Sequence, residues 1–452
     1  MDSMDSTGIH QSWLERGHVA AAFAVFALYA GVFALVGHGY DRTWAICAVC
    51  GYALAGAAIW RRGVSARTLV IALAGAAVVP LLVFDAGPFT DGMVVIARSA
   101  VLMLNSGTPY VPDGQTIGYL SYDPYLPAMA LFGLPKAAGL AGAFGNPALW
   151  LALVSSIIFG AAFWIAAPHS PRHCADCRRE ALLRAMFAIA TPVIALNIAI
   201  TTTDPPVLAL MVLAMAFATR GGSWRAAGVA LGFACAMKAT AWFEIPVLAA
   251  LFWYRDYPRA AVRFVVTTVA TAGSLIAIIS PAALTSKVIA ENTILFPLGL
   301  THDRTPAGSL LPGHLLADSG PNGRFIATAL LLAAGFIVLM SLILRPPRDV
   351  PAACVRLSIG LAAMFVFGPA ERFGYFIYPL GLLGWAWLVQ AGTDKERPNW
   401  WPGSVHQSRI ARPAADSSAV TPSGRNLDDT SVRISSPSAK ETTKSIPGTR
   451  TV

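Results

Sequence analysis

The sequence predicts an all-α polytopic membrane protein of about ten to twelve transmembrane helices, and three observations carry that reading. Apolar residues make up 56% of the 452-residue chain and charged residues only 13%, a balance with too little polar surface to coat a soluble domain of this size. The mean hydropathy is +0.59. The apolar residues also fall into blocks long enough for the roughly 30 Å of a bilayer's hydrocarbon. A soluble enzyme is excluded on these grounds. A disulfide scaffold is excluded too: six cysteines are thinly spread, and Cys47, Cys50, Cys235 and Cys354 lie inside apolar stretches. The net charge of +9 does not point to nucleic acid, because the basic residues sit in short loops between apolar blocks, where they bias topology.

Residues 1–18 carry Asp2, Asp5 and Glu15 where a secretory leader would be basic, so they read as a short cytoplasmic N-terminus. The first apolar block, Val19 to Gly37, then opens a transmembrane domain over 19–392. Further blocks follow at Trp44 to Trp60, Thr68 to Phe84, Pro147 to Ala167, Ala185 to Thr201 and Pro206 to Ala218. The remainder are Ala226 to Trp253, Ala260 to Leu284, Phe325 to Leu344, Leu357 to Gly368 and Gly374 to Val389. Arginines mark the loops on one side: Arg61, Arg62 and Arg67; Arg172, Arg178, Arg179 and Arg184; Arg220 and Arg225; Arg255, Arg259 and Arg263; Arg345 and Arg348. By the positive-inside bias these loops are cytoplasmic. Both ends of the Ala226 to Trp253 block then face the cytoplasm, which requires a hairpin of two short helices turning near Lys238 to Trp242. The opposite, extracytoplasmic face receives the long loops at about 85–146 and 285–324. Residues 393–452 change to Ser, Thr, Pro and mixed charge, a composition that predicts a disordered cytoplasmic tail.

The first long loop is the richest in chemistry. Thr90 or Asp91 can cap a helix running to Asn105, and Gly107 followed by Pro109 stops it. Met93, Ile96, Ala97, Ala100, Val101 and Leu104 form a stripe suited to a helix lying on the membrane surface. Asp91 is then either a cap or a functional carboxylate. Downstream, Tyr119-Leu-Ser-Tyr122-Asp123-Pro124-Tyr125-Leu-Pro127 leads back to the membrane.

An aspartate at the membrane exit, a surface helix, Gly107-Thr-Pro109-Tyr110 and then Tyr122-x-Pro124-x-x-Pro127 resembles the first external loop of the GT-C superfamily. These are polyprenyl-phosphate-sugar-dependent glycosyltransferases, and the likeness is to the bacterial α-mannosyltransferase branch, family eighty-seven. Asp204-Pro-Pro, Gly228 to Gly232 leading to Lys238, Phe296-Pro297-Leu-Gly299, and Arg372-x-Gly374-Tyr-x-x-Tyr378-Pro379 extend the resemblance over roughly Phe84 to Trp387.

The resemblance implies a GT-C-like fold and transfer of a hexose, mannose being the branch's usual sugar, from a polyprenyl-phosphate donor to a cell-envelope glycolipid or polysaccharide, with inversion. The expected setting is the bacterial plasma membrane, with the active site on the extracytoplasmic face and no cofactor or metal. Asp91 is the expected general base, with Asp85 as its rival: one carboxylate suffices, because the phosphate leaves already stabilised as an anion. Arg372 offers a fork for the donor phosphate, or else pairs with Glu371. Lys238, costly in an apolar hairpin, is a second phosphate candidate, with Glu244 a possible partner. Tyr110, Tyr122, Asp123, Asp204, His302 and Arg304 are the candidates for the sugar or acceptor cleft, although Asp204 before Pro205 also reads as a helix cap. His169, His173, Cys174 and Cys177 supply one Cys-x-x-Cys without a second pair, weak grounds for zinc. The reading from another class is a secondary transporter of twelve helices. Against it, Arg61-Arg62-Gly63-Val-Ser-Ala-Arg67 has no acidic partner, and long external loops suit an enzyme better.

Overall fold

A computed structural model describes residues 16–85, 90–112, 117–167, 174–282, 287–303 and 308–390. The tail assigned to 393–452 and most of the N-terminus lie outside them. Among the described residues there is no strand. Helices α1 (Arg16–Val36) and α2 (Gly39–Arg62) form an antiparallel pair, followed by α3 (Ala66–Leu73) and α4 (Val79–Asp85) on one axis, joined through a π-helical turn at Ala74–Val78. The break has a chemical cause. Pro80 has no N–H for the carbonyl of Ala76, and the indole of Trp44 donates to that oxygen instead, at 2.8 Å. Gly75 in the same turn meets Gly51 of α2 so closely that a Cβ on Gly51 would lie 2.7 Å from the Gly75 Cα.

After the first long loop, which holds α5 (Asp91–Ser106) and the single turn α6 (Leu134–Ala137), come α7 (Pro147–Ala166), α8 (Cys174–Ala190) and α9 (Pro192–Ala199). The apolar block expected over Ala185 to Thr201 falls on a pair of helices bent by 67° between α8 and α9. Pro192 removes a backbone donor and pushes Thr191 into an extended conformation, which is sufficient reason. Then follow α10 (Asp204–Ala218), α11 (Trp224–Met237), α12 (Glu244–Arg255) and α13 (Pro258–Ile279). The second long loop contains α14 (Val288–Ala290) and α15 (Pro312–Asp318), before α16 (Pro321–Leu344), α17 (Val350–Phe367) and α18 (Ile377–Gln390). Helix α17 starts seven residues ahead of the expected Leu357, with Asp349 Oδ1 capping Ala352 N at 2.8 Å. Arg356 had interrupted the apolar run; its guanidinium is spent on the Ser341 carbonyl of α16, 2.9 Å away.

The protein is a multi-pass membrane protein: among the described residues seven helices are long and apolar enough to cross, and an eighth if α8 and α9 make one span. The difference from the larger expected count lies in α10, α11, α12 and α18. These helices of 12 to 15 residues rise only about 18–22 Å. Helix α10 is buried along nearly its whole length, so it meets protein where the longer helices meet lipid.

The hairpin expected between Ala226 and Trp253 is present. Gly228 of α11 packs on Phe264 and Thr267 of α13, and Gly232 on Thr268 and Thr271, so α11 runs parallel to α13. Phe252 of α12 stacks near Phe264 with centroids 5.2 Å apart, so α12 runs back along the same half of α13. The turn between them is Lys238 followed by a 3₁₀ segment, Ala239–Phe243.

Hydrogen bonds sort the helix termini into two ends. At one end Arg220 Nε donates to Ile165 O at 2.8 Å, Arg255 Nη1 to Ala218 O at 2.5 Å, and Arg263 lies over the Trp224 ring. The arginine-marked turns at Arg220–Arg225 and Arg255–Arg263 therefore lie together with the end of α7. At the other end the two long loops are stitched to each other: Tyr122 and Phe296 stack with centroids 4.5 Å apart and 2° between planes, and Asn292 Oδ1 accepts from Asp123 N at 2.7 Å.

Candidate functional site

At the loop-covered end, the first residue of α10 meets the last turn of α11. Lys238 caps α11 in an extended conformation, and its ammonium forms an ion pair with Asp204 Oδ1. The Tyr378 hydroxyl, from α18, donates to the same oxygen at 2.7 Å. The ammonium also sits 4.6 Å from the centroid of the Tyr375 ring and about 6 Å from those of Tyr125 and Tyr378. Four segments distant in sequence thus converge on one buried charge pair. Taking two charges out of water costs several kcal/mol per ion by typical magnitudes, and ionisable groups at membrane depth mark function more often than stability.

Glu371 borders this cluster. Burial pushes its carboxyl up to about 8, with Lys238 pulling it down and Asp204 pushing it further up. It packs against Gly368, whose turn is held by the His314 ring of α15 at the Pro369 carbonyl, 3.0 Å away. Burial likewise raises Tyr125, to about 12, against the lowering effect of Lys238.

Asp91 stands above this floor. It is exposed and is the first residue of α5. Thr90, not Asp91, holds the cap position, and its hydroxyl bonds to that of Thr201 at 3.0 Å. The capping alternative for Asp91 is thereby removed. A long contact from the Tyr119 hydroxyl, 3.4 Å, is the only side-chain bond to Asp91 among the described residues. The neighbouring Gly92 faces the cluster: a Cβ there would lie 3.3 Å from the Tyr125 hydroxyl and 3.6 Å from Thr203. Helix α5 ends at Gly107 in the left-handed region (φ 70°), as its sequence required. Its stripe divides. Met93, Ile96 and Ala100 are buried, with Ile96 and Ala100 packed on Gly133 of the returning loop, while Val101 and Leu104 are exposed.

Three of the residues expected to line a cleft are interior struts. Tyr110 is buried and donates to Tyr125 O at 2.9 Å, Tyr122 is buried in the stack on Phe296, and Asp123 is buried under the loop. Asp123 accepts from Ser99 Oγ at 2.6 Å and from Tyr125 N at 3.0 Å; burial pushes its carboxyl up to about 6 despite these bonds and the nearby Arg98. The Tyr110 and Asp123 bonds fix the position of Tyr125, and those polar atoms are consumed in doing so. Asp204, read as a cap, is instead the receptor of Lys238 and Tyr378; the N-cap is Thr203. The suggested Lys238–Glu244 pairing is also corrected. Glu244 is fully buried, and neither of its oxygens has a partner.

Arg372 is exposed and makes no ion pair with Glu371 among the described residues. His302 is almost fully exposed, 3.7 Å from Asp303. Arg304 and the side chain of Asp85 lie outside the described residues, as do His169, His173 and the side chain of Cys174. No group of three or more His, Cys, Asp or Glu able to hold a metal is found among the described residues.

Sequence reasoning missed Tyr125, Glu371, Tyr375 and Tyr378 as site residues. The last two carried a usable signal, because Tyr-x-x-Tyr at the head of a helix puts both rings on one side. Arg98, whose Nη1 donates to Leu120 O while Nε and Nη2 are buried without partners, had none. Compared with known protein families and with curated proteins, the chain matches no family model and no relative.

Proposed function

We propose that the protein is a membrane glycosyltransferase that moves a sugar, mannose in the first instance, from a polyprenyl-phosphate donor to a cell-envelope glycolipid or polysaccharide. The site works on the extracytoplasmic face of a bacterial plasma membrane. The observation that supports this reading best is the exposed Asp91 carboxylate at the head of α5, one residue from the Tyr125 wall that leads down to Lys238 and Asp204. An exposed carboxylate beside a cluster of tyrosines suits a base that must meet a hydroxyl arriving from water and a lipid arriving from the bilayer.

In the proposed step Asp91 takes the proton of the acceptor hydroxyl as its oxygen bonds to the anomeric carbon. The bond from that carbon to the phosphate oxygen breaks on the opposite face, and polyprenyl phosphate leaves with the electron pair. Inversion follows. Arg372 is exposed and makes no ion pair among the described residues, which leaves its fork for the phosphate. Lys238 is already engaged by Asp204, so its part is to hold Tyr375 and Tyr125 in place. Incubating membranes that overexpress the chain with radiolabelled polyprenyl-phosphate mannose tests the reading: label passing to a new lipid-extractable or polymeric product supports it, and no transfer above control membranes removes it.

One observation favours a second reading, a secondary transporter. The Asp204–Lys238 pair lies where a short helix begins and a broken hairpin turns, the kind of place where discontinuous helices bind substrate in carriers. Proteoliposomes that accumulate solute with an ion gradient and transfer no sugar would select it.

A further inference from the structure

The arginine-rich end holds a second site that the proposed reaction does not use. A groove of about 470 Å³ opens between the end of α2, the start of α3 and the first turns of α8. Its lining includes Ala58, Arg62, Ser65, Arg67 and Arg179. Three exposed arginines from three helices therefore line one groove, and none of them has a carboxylate partner among the described residues. Glu180, the residue after Arg179, is engaged by Arg184. Across the turn, Arg16 approaches Gly63, whose added Cβ would lie 3.3 Å from the Arg16 Nε. Converging, unneutralised arginines repel one another unless an anion joins them.

What anion is decided by the surroundings. Trp60, Trp164 and Trp253 are exposed at this end, and Arg178 stacks over Trp164 at 5.0 Å. Exposed tryptophans beside arginines mark the depth of lipid headgroups. On the other side of the last turns of α2 lies a second groove of about 470 Å³, lined by the small residues Gly17, Ala20, Ala24, Gly56 and Ala57 with Trp60 and Arg61 at its edge, which leaves room for a hydrocarbon chain. A basic groove at headgroup depth beside a second groove lined mostly by small apolar residues fits an anionic phospholipid. We propose that the groove formed by Arg62, Arg67 and Arg179 binds the phosphodiester of an anionic phospholipid headgroup, seating the α2–α3–α8 corner in its leaflet. The chemistry of a phosphate monoanion is shared by free phosphate, and the test separates the two.

Native mass spectrometry of the full chain in detergent, with added dioleoyl-phosphatidylglycerol or dioleoyl-phosphatidylcholine, reads occupancy directly. Wild type should retain phosphatidylglycerol about tenfold more than phosphatidylcholine. An Arg62→Gln, Arg67→Gln, Arg179→Gln variant should lose that excess. A control with the same loss of charge at the same end, Arg259→Gln, Arg345→Gln, Arg348→Gln, should keep it. Should the first triple variant fail to fold, Arg67→Gln alone must still lower retention several-fold relative to Arg345→Gln. Equal retention in the groove and control variants, or no preference between the lipids, overturns the proposal. So does complete displacement of phosphatidylglycerol by millimolar inorganic phosphate, which would assign the groove to the free ion. None of these readouts depends on sugar transfer.

Discussion

Lys238 and Asp204, thirty-four positions apart, are joined in a buried ion pair that ties the end of α11 to the start of α10, with the Tyr378 hydroxyl on the same carboxylate oxygen. Removing one partner leaves the other charge buried and uncompensated. Asp204→Asn and Lys238→Met should each destabilise the protein by about 3–5 kcal/mol. The double variant should cost clearly less than the sum, and thermal unfolding in detergent, arranged as a double-mutant cycle, measures the coupling. Additive losses would mean that the two side chains do not share their energy.

Tyr378→Phe deletes one charge-assisted hydrogen bond from Asp204 and leaves the ring over Lys238. The expected cost is about 1.5–3 kcal/mol in the same assay, smaller than either loss from the ion pair itself.

Glu371 gives a pH signature. Its ordinary value is 4.5 and its folded value about 8, so in between the unfolded chain has released a proton that the folded chain retains. The contribution is fully present below about pH 4.5, declines as pH rises through the window, and is gone above about pH 8. Glu371→Gln, which cannot ionise, should flatten the fall in unfolding temperature over that window. An unchanged slope would show that another group sets it.

Glu244 is buried with two unpartnered oxygens, so a neutral side chain of the same shape should be accepted. Glu244→Gln should lie within about 1 kcal/mol of wild type, measured by unfolding. A loss several times larger would reveal a partner for the carboxylate.

The fold class and most helices were legible because lipid forces one pattern on every span: an apolar block between basic loops. The hairpin around Lys238 was also legible, since two arginine-flanked ends of one block must face the same side. Less visible were events caused by single backbone groups. Pro192 bends α8 from α9, and Pro80 frees the Ala76 carbonyl that Trp44 takes. Within the site, Asp91 and Lys238 stood out locally, by a helix start and by a charge in an apolar run. The pairing of Lys238 did not. Glu244 is six residues away and Asp204 thirty-four, and only the packing of α10 against α11 decides between them. Burial of Tyr110, Tyr122 and Asp123 was equally hidden, because polar and aromatic residues in a loop read as cleft or strut until Phe296 and Asn292 are brought in from the second loop.

The central claim is that Asp91 is the base, and the initial rate of sugar transfer by purified Asp91→Asn, measured against donor concentration beside Asp85→Asn and Arg372→Lys, tests it most directly. The account predicts a fall of roughly 10²-fold or more for Asp91→Asn with unfolding temperature unchanged, a smaller loss for Asp85→Asn, and for Arg372→Lys chiefly a weaker use of donor. An Asp91→Asn enzyme that transfers sugar at the wild-type rate would contradict it.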